Sequence, residues 1–431
     1  MIRIVFFLCF SLLTGELIAQ QLTLDSAILI AMRNSPGLMI SKNNINIAGL
    51  NNSYGMAGGL PQVAVNSTLT GQMTSLEQQY SNPLNNKSST NASSNNIAAG
   101  LAANVPVFEG GRIQNAKQRL DIVESQSKAQ YNSRTQNLIY GVMLKYYDIV
   151  RQQGYVRTLE ASIKASQQKL EIVKQQQSVG VANDADLFQA QVDLNTQLQA
   201  LQAQQLVVDQ DKTDLLALMI LNPDSTIIIK DTILVDKTII LDSILSAAYQ
   251  NPDIQVAIDQ IRINQYLEKE VGASRYPSAS VNLGYNFSRT TNPQGFNILN
   301  QAYGPYVGLG LTIPIFNGGI YKRQEQIAGI NVNTAKLQKD TLIQNLHSTA
   351  VRNWQAYQSN LQQLETAKQN FDLSQKLLNL VLMRFQYKVA TIVDVTLAQQ
   401  SFESAGFQLV NVSYAAKAAE IQLRRLANHL P

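Results

Sequence analysis

Two hydrophobic patterns alternate along the chain, and each pattern occurs in both halves. Apolar residues at every second position mark four segments that we interpret as strands, at 61–72, at 97–107 and twice more within 277–316. Apolar residues three and four positions apart predict helices over 24–56, 113–178, 184–221, 241–272, 320–386 and 392–427. The chain is therefore predicted to pass twice through helix, strand, strand, long helix and helix.

A short sequence recurs where the strands give way to the long helices. VPVFEGG contains Pro106, and IPIFNGG contains Pro314, 208 positions later. Proline has no N–H to donate to a strand ladder, and paired glycines permit a sharp change of direction. We predict two equivalent strand-to-helix turns, made of Pro106, Gly110 and Gly111 in the first half and of Pro314, Gly318 and Gly319 in the second.

Other matches extend the repeat over nearly the whole chain. Pro61 and Pro277 are 216 positions apart, as are Pro36 and Pro252, so a length difference falls between the first two strands, in a run rich in Asn and Ser. Length changes of this kind belong in exposed loops. We predict a first structural repeat at 21–221 with its hairpin at 61–107, a β-rich equatorial connector at 222–240, and a second repeat at 241–428 with its hairpin at 277–316.

The predicted helices are too long for a compact domain. Helix 113–178 would extend about 100 Å at about 1.5 Å per residue. Its apolar residues recur at three and four, and the rest of its surface is Gln, Ser and Lys, which is typical of coiled-coil packing. In each half the two shorter helices together nearly match the long one, so we predict a uniform wall of helices stacked end to end.

The first 20 residues have the features of a secretory signal. Arg3 precedes an apolar stretch at 4–13 that is too short to span a membrane as a mature helix. Removal of this segment would also remove Cys9, the one cysteine of the sequence, so we expect neither disulfides nor thiolate metal sites. The residues before Cys9 are not those of a lipoprotein cleavage site, so we expect no lipid anchor.

Composition and motifs argue against several classes of function. The net charge of +4 is small and dispersed, so we expect no nucleic-acid binding. His347 and His429 are the two histidines, and neither has a nucleophile or carboxylate cluster beside it in the sequence. No phosphate-binding loop or metal-ligand spacing is present. We predict that the protein is not an enzyme and needs no cofactor or metal.

Each predicted strand has one apolar face and one face of small or polar residues. Val281, Leu283 and Tyr285, for example, alternate with Asn282 and Gly284. This alternation over about 9–11 residues is typical of strands that cross an outer membrane, although a soluble sandwich with one solvated face would show it too. Four strands cannot close a barrel, so a membrane barrel requires several chains: a dimer with a filled interior or a trimer with a channel.

The tandem repeat, the two turn sequences and the two helix tips together resemble the TolC-type outer-membrane efflux proteins, from Leu22 to about Asn428. The resemblance implies a mixed α/β membrane protein with a long α-helical coiled-coil barrel in the periplasm. It implies a homotrimer, in which four strands per chain close a 12-stranded transmembrane β-barrel in the outer membrane of a Gram-negative bacterium. Outer-membrane lipid is then an expected partner.

The resemblance also implies partners at the helix tips. A periplasmic adaptor (membrane fusion) protein would contact the tips and join the duct to an inner-membrane transporter of the RND, ABC or MFS type. The residues expected at this contact are Val179, Gly180, Val181 and Ala182 in the first repeat and Val389, Ala390 and Thr391 in the second.

A gate at the periplasmic entrance is a further implication of the resemblance. Asp394 lies where the family places a ring of aspartates, and Asp186, beside Asp184, lies where a gate carboxylate is expected. As an alternative, these aspartates cap the helices that follow the turns. Asp394 is expected to lie beyond such a cap, which favours the gate for this residue.

The chain departs from the family pattern at the gate partners. The usual tyrosine and arginine fall on Phe385 and Ala390, and the next aspartate falls on Leu397. We therefore expect the polar gate bonds of the family to be absent, and we consider Lys388 a substitute partner for the aspartates of the first tip.

These observations predict an outer-membrane exit duct of a tripartite efflux pump or a type I secretion system. Two alternatives are a stand-alone outer-membrane porin and an exported coiled-coil structural protein. A porin does not need the long helices, and a coiled-coil protein leaves the four alternating strands unexplained.

Overall fold

The structure is a computed structural model that describes residues 21–293 and 298–431, so the predicted signal segment at 1–20 lies outside the described residues. The described chain forms two compact units. The first contains Tyr131–Pro252 and Ile343–Pro431 together with the described residues up to Ile40, and the second contains Ser41–Gln130 and Asp253–Leu342.

Helices make up most of the chain. Two of them have 67 residues each and contribute to both units. No helix in the described ranges combines the length and the apolar character needed to cross a membrane. The helices are α1 (Leu24–Asn34), α2 (Pro36–Asn51), α3 (Arg112–Ser178), α4 (Asp184–Leu218), α5 (Leu241–Ala248), α6 (Pro252–Ala273), α7 (Ile320–Gln386) and α8 (Ile392–Leu426).

The predicted single helices at 24–56 and 241–272 are each divided in two. Pro36 opens α2 and Pro252 opens α6, at equivalent positions of the repeat. Proline is tolerated in the first turn of a helix but disfavours helical geometry in the residue before it. The hydrophobic spacing continues across each break, which explains why the pattern alone predicted one helix.

The connector at 222–240 is not β-rich, contrary to expectation. Within the described chain its backbone pairing amounts to one parallel bridge between Ile228 and Gln21. Its apolar residues are used differently: Ile227 and Ile229 are buried in a helical core that also contains Tyr146. Within the described residues, this segment is held by the burial of these side chains and by hydrogen bonds from the Tyr146 hydroxyl to Asp231 and from the N–H of Asp236 to Glu420.

The second unit contains one antiparallel sheet in the order β1-β2-β3-β4. Long helices combined with four antiparallel strands confirm the predicted secondary-structure class. The strands have 17, 23, 14 and 14 residues and are longer than the predicted 9–11. They are β1 (Gln62–Gln78), β2 (Lys87–Glu109), β3 (Ser278–Thr291) and β4 (Leu299–Thr312).

The Asn/Ser-rich run and Pro106 behave differently from expectation. Asn95 and Asn96 belong to β2 and lie opposite Thr291 and Thr290, so much of the predicted loop is strand. A ladder needs only backbone groups, which polar residues supply equally well. Pro106 does not end β2, because a register shift between Pro106 and Phe108 carries the pairing past the missing N–H.

The two hairpins have the same register. Val65 lies opposite Leu101 in the first hairpin, and the equivalent residues Val281 and Leu309 lie opposite each other in the second. Directly opposed residues share one face of a sheet. The residues at these positions build one continuous apolar face, which includes Val63, Val65, Leu101, Val105, Val281, Leu283, Tyr285, Val307 and Leu309.

The other face of the sheet carries small and polar side chains. Asn104 donates from Nδ2 to Oδ1 of Asn282 at 2.7 Å, and Thr290 donates to Oδ1 of Asn96 at 3.0 Å. The apolar face, in contrast, is exposed, with Val65 74% and Leu309 85% accessible. Within the described residues, β1 and β4 each have one edge without a strand partner.

Candidate functional site

The first helix tip is a tight turn between α3 and α4. Gly180 has a φ of +73°, and the N–H of Val181 donates to the carbonyl of Gln176 at 2.8 Å. Asn183 caps α4 by accepting from the N–H of Asp186 at 2.8 Å. Asp186 is therefore an acidic residue in the first turn of α4, where a negative charge also complements the helix dipole.

The other predicted acidic residue of this tip is held by a neighbouring side chain. Gln177 donates from Nε2 to Oδ1 of Asp184 at 2.6 Å. The exposed residues at the turn include Val179 and Val181. The first tip therefore combines an exposed apolar turn with two acidic residues, of which Asp184 is hydrogen-bonded through its carboxylate and Asp186 through its backbone N–H.

The second helix tip uses different residues for the same turn. Lys388 has a φ of +63° at the position equivalent to Gly180, and the N–H of Val389 donates to the carbonyl of Arg384 at 2.8 Å. Thr391 then caps α8. A left-handed conformation is uncommon for a lysine, so the turn imposes this backbone geometry on Lys388.

Asp394 belongs to the cap of α8, contrary to the expectation that it lies beyond it. Its N–H donates to Oγ1 of Thr391 at 3.2 Å, and its carboxylate accepts from the N–H of Thr391 at 2.7 Å. This reciprocal arrangement is a capping box. Hydrogen bonds from the backbone and then the hydroxyl of Thr391 lower the pKa of Asp394 from its ordinary value.

The expected gate partners do not reach the aspartates in this chain. Among the described residues, no ion pair joins Lys388 to Asp184 or Asp186. Phe385 is buried in an apolar cluster with Leu382, Val395 and Phe402, so it packs behind the tip. Its carbonyl accepts from Nε2 of Gln176 at 3.2 Å. Leu397 is exposed and lines a groove of about 510 Å³ with residues of α7 and α8.

A buried polar cluster behind the tips was missed by the sequence patterns. Lys169 has no exposed side-chain surface, and its Nζ donates to Oδ2 of Asp193 at 2.5 Å and to Oγ1 of Thr396 at 3.2 Å. Burial raises the pKa of Asp193, but hydrogen bonds from Lys169, Gln189 and Thr396 outweigh it and leave the pKa below its ordinary value. The cluster ties α3 and α4 to α8.

A second buried cluster lies one turn further along α8. Nε2 of Gln399 donates to Oγ of Ser162 at 2.6 Å and to Oγ of Ser166 at 2.8 Å, and Ser162 also donates to Glu403. One signal was available in the sequence: Lys169 and Asp193 lie at similar distances on either side of the predicted turn, as paired residues of a helical hairpin do.

The two strand-to-helix turns have positive φ at both glycines. The values are +60° and +87° at Gly110 and Gly111, and +68° and +76° at Gly318 and Gly319. In the described ranges, no group of three or more His, Cys, Asp or Glu residues is arranged to hold a metal ion. The candidate features are therefore the two helix tips in the first unit, and the two turns and the apolar sheet face in the second unit.

The fold is that of bacterial outer-membrane channels. The Campylobacter jejuni CmeC outer membrane channel aligns with a TM-score of 0.78 at 15% identity, covering 94% of this chain and 85% of that chain. The outer membrane protein VceC from Vibrio cholerae aligns with a TM-score of 0.75 at 17% identity, covering 94% of this chain and 95% of that chain.

Sequence comparisons agree with the fold. The family model "Outer membrane efflux protein" matches residues 31–219 and 244–429, and the chain belongs to this family. Outer membrane protein TolC of Vibrio cholerae serotype O1 is 23% identical over 319 residues, which are 70% of this chain and 69% of that protein.

Family membership confirms the TolC-type resemblance and the outer membrane of a Gram-negative bacterium as the location. The chain is an outer-membrane exit duct of efflux systems, and its family consists of channels, not enzymes.

Proposed function

We propose that three copies of the chain close a 12-stranded transmembrane barrel and continue as an α-helical barrel in the periplasm. The observation that carries this proposal is the exposed apolar face of a four-stranded sheet whose outer strands, β1 and β4, each have one edge without a partner among the described residues. In lipid every backbone polar group needs a partner, so open edges require further strands. Pairing of β4 with β1 of the next copy supplies them.

The internal repeat predicts the register of that pairing. Within the chain, β2 and β3 join the two repeats, with Leu101 opposite Tyr285. In the repeat, Leu101 of β2 corresponds to Leu309 of β4, and Tyr285 of β3 corresponds to Leu69 of β1. Leu309 of one copy should therefore lie opposite Leu69 of the next, and both side chains are exposed on the apolar face of the single chain.

Cysteine cross-linking tests this register. In Leu69→Cys/Leu309→Cys, the two sites lie on the outermost strands of one sheet and are displaced along it, so they are more than about 14 Å apart at about 4.8 Å per strand. A disulfide cannot span that distance within a chain, so oxidation should give cross-linked dimers and trimers on non-reducing gels. Leu69→Cys/Gly308→Cys is the control, because position 308 faces the other side of the sheet. Equal cross-linking in both variants, or none in either, would refute the register.

We further propose that the duct works in a tripartite efflux pump or a type I secretion system. The exposed apolar residues Val179, Val181 and Val389 support a protein partner at the tips, namely the periplasmic adaptor. A stand-alone porin predicts ion conductance but no stable complex with an adaptor, and a structural protein predicts neither. Planar-bilayer conductance of the purified trimer, followed by co-purification with an adaptor from the same organism, distinguishes the three.

The residues proposed for the periplasmic entrance are of two kinds, charged residues and one buried aromatic residue. Asp394, Asp184, Asp186 and Lys388 are its charged residues, and Phe385 packs behind them. Three copies of Asp394 close to one axis would attract cations. The capping box supports a carboxylate that is fixed in position and charged at neutral pH, because the pKa of Asp394 is lowered.

A further inference from the structure

The base of the second hairpin contains a cleft of about 260 Å³, where the chain leaves β4 and enters α7. Two cationic residues, Arg275 and Lys322, line it together with the apolar Ile315 and Phe316 and the amphipathic Tyr321. Ile315 is 95% exposed and Phe316 is 88% exposed. The cleft thus joins positive charge to a large exposed apolar surface.

The positive charge at this cleft is not neutralised. Arg275 forms an ion pair with Glu325, and this carboxylate is half-exposed. Lys322 and the adjacent Arg323 are exposed and form no ion pair within the described chain. The cleft is therefore lined by one paired cation, Arg275, and one unpaired cation, Lys322, and Arg323 follows Lys322 on α7.

The residues of the first hairpin that are equivalent to this cleft lack its free cations. The residues that correspond to Arg275, Lys322 and Arg323 are Gly59, Gln114 and Asn115. A Cβ added at Gly59 would lie only 2.8 Å from Cγ2 of Ile113, so that space is occupied. The nearby Glu109 and Arg112 form an ion pair with each other. The cationic cleft is thus a property of the second repeat alone, although the turn sequence is shared.

We propose that this cleft binds the phosphate of an anionic phospholipid in the periplasmic leaflet of the outer membrane. The inference rests on the proposed transmembrane sheet, because it places the end of β4 at the membrane boundary. Leu309, Leu311, Ile313 and Ile315 form an exposed apolar row towards the turn, and Lys322 and Arg323 follow three and four residues after Gly319. Aromatic and basic residues at the end of an apolar span are suited to lipid headgroups.

The size of the cleft agrees with a headgroup rather than a whole ligand. Sites that enclose drug-sized molecules are about 300 Å³ or larger. A phosphate held by Lys322 and Arg275 would leave the acyl chains to extend along Ile315 and Phe316, whose surfaces are already apolar and exposed. Basic residues near an anionic membrane surface each strengthen binding by about 1 kcal/mol, or about fivefold.

A second copy of the chain is the competing occupant. The proposed pairing would place that copy against Gly318, which does not line the cleft, and two observations disfavour its filling the cleft as well. The carboxylates of this region are already paired, with Glu109, Glu270 and Glu325 each bound to an arginine. In the first repeat, Val107 and Phe108 remain 65% and 51% exposed although β3 is paired beside them. Pairing of β4 with another copy would by analogy leave Ile315 and Phe316 exposed.

Native mass spectrometry of the detergent-purified trimer tests the proposal with phosphatidylglycerol as the probe and phosphatidylethanolamine as the reference lipid. Removing both free cations in Lys322→Gln/Arg323→Gln should weaken phosphatidylglycerol binding about 25-fold, at about fivefold per residue, with little effect on phosphatidylethanolamine. Lys336→Gln/Lys368→Gln removes the same charge from exposed positions further along α7 and should leave binding unchanged. Soluble glycerol phosphate should not displace the lipid, because it lacks the acyl chains.

Each contrary result has a defined meaning. Equal binding of both lipids by the unaltered protein, an equal loss in the control variant, or displacement by glycerol phosphate overturns the lipid site. Loss of trimers in Lys322→Gln/Arg323→Gln with lipid preference retained also overturns it and assigns the cleft to subunit contact. Bilayer conductance of the same preparations separates this failure from that of the channel proposal, because a conducting protein without lipid preference retains the channel.

Discussion

The two strand-to-helix turns share a sequence but differ in their surroundings. A Cβ added at Gly110 would lie 2.7 Å from the carbonyl oxygen of Ala273 and from Cβ of Tyr276, whereas a Cβ at Gly318 would meet nothing within 4 Å. The first turn follows the central strand β2, and the segment that leads into β3 covers it. The second turn follows the edge strand β4, and nothing in the described chain covers it.

The difference indicates what a neighbouring copy would supply. The residues that cover Gly110 are Ala273 and Tyr276, and their counterparts in the first repeat are Ala57 and Leu60. If β4 pairs with β1 of the next copy, the segment of that copy that contains Ala57 and Leu60 comes to lie against Gly318. The single chain therefore makes this contact completely at the first turn, and a neighbouring copy is needed to make it at the second turn.

The largest effect on stability is expected at Lys169, which is buried behind the tips although its counterpart in the second repeat is exposed. Lys169→Met leaves the Asp193 carboxylate without its cationic partner inside the bundle, which should lower the free energy of unfolding by about 3–5 kcal/mol. Leu377 is the counterpart of Lys169 and is exposed, so Leu377→Lys should change it by less than about 0.5 kcal/mol. Urea titration of the helical circular dichroism measures both, and equal effects would contradict the assigned burial.

The same ion pair predicts a pH dependence. The folded-state pKa of Asp193 is lowered, so its stabilising contribution is complete above the unfolded pKa of about 3.9 and is lost as the pH falls through the folded value. Urea midpoints should therefore be constant from pH 7 to about pH 5 and should fall below about pH 4. In Lys169→Met this acid sensitivity should be smaller, and an unchanged pH profile would remove the pair from the explanation.

The next effect separates the two turns directly. Gly110→Ala places a side chain at positive φ, which costs about 1–2 kcal/mol, and into a gap too small for it, which adds about 1–3 kcal/mol. Gly318→Ala should show only the first cost in the fold of the chain, measured by the same titration. Its trimer fraction on size-exclusion chromatography should fall as well, because the neighbouring copy fills the space. Gly318→Ala with intact trimers would contradict the proposed contact.

The two faces of the sheet could be predicted from the sequence, but the ends of its strands could not. A period of two places Val65, Leu101 and Leu309 on one face whatever the neighbours are, so the faces follow from the sequence. The ends of a strand depend on where backbone partners lie, and side-chain patterns do not show this. Asn95 and Asn96 therefore belong to β2 although they are polar, and a bulge allows β2 to continue past Pro106.

The tips show why the site was harder to predict than the fold. Hydrophobic spacing places Lys169 on the polar surface of its helix, because it cannot show that Asp193 and Thr396 approach it from two other helices. The prediction for Asp394 depended on where α8 begins. A difference of one or two positions decides whether Asp394 belongs to the cap or lies beyond it. The duplicated turns were identified because glycine pairs at matching positions are a local feature.

A smaller effect is expected from the caps of the two tips. Asn183→Ala and Thr391→Ala each remove a side-chain acceptor from the start of a helix, and each should lower the free energy of unfolding by about 1 kcal/mol. Thr391→Ala should have the larger effect, because it also removes a hydroxyl donor to Asp394. The urea midpoints of the two variants give the order directly, and a reversed order would mean that the capping box adds nothing to the cap.

The smallest structural effect and the sharpest functional one are expected at Asp394. Asp394→Asn keeps an oxygen that can accept from the N–H of Thr391, so the helix start should be preserved while the negative charge is lost. If three copies of Asp394 line the entrance, planar-bilayer recordings should show weaker cation selectivity in Asp394→Asn, whereas Thr391→Ala, which keeps the carboxylate, should stay cation-selective despite its lower stability. The first tip supplies the matched control: Asp186→Asn removes the same charge from α4. Loss of selectivity in Asp394→Asn alone would locate the entrance at the second tip. Equal losses would place both carboxylates on the pathway, and unchanged selectivity in both would leave Asp394 with its capping role only.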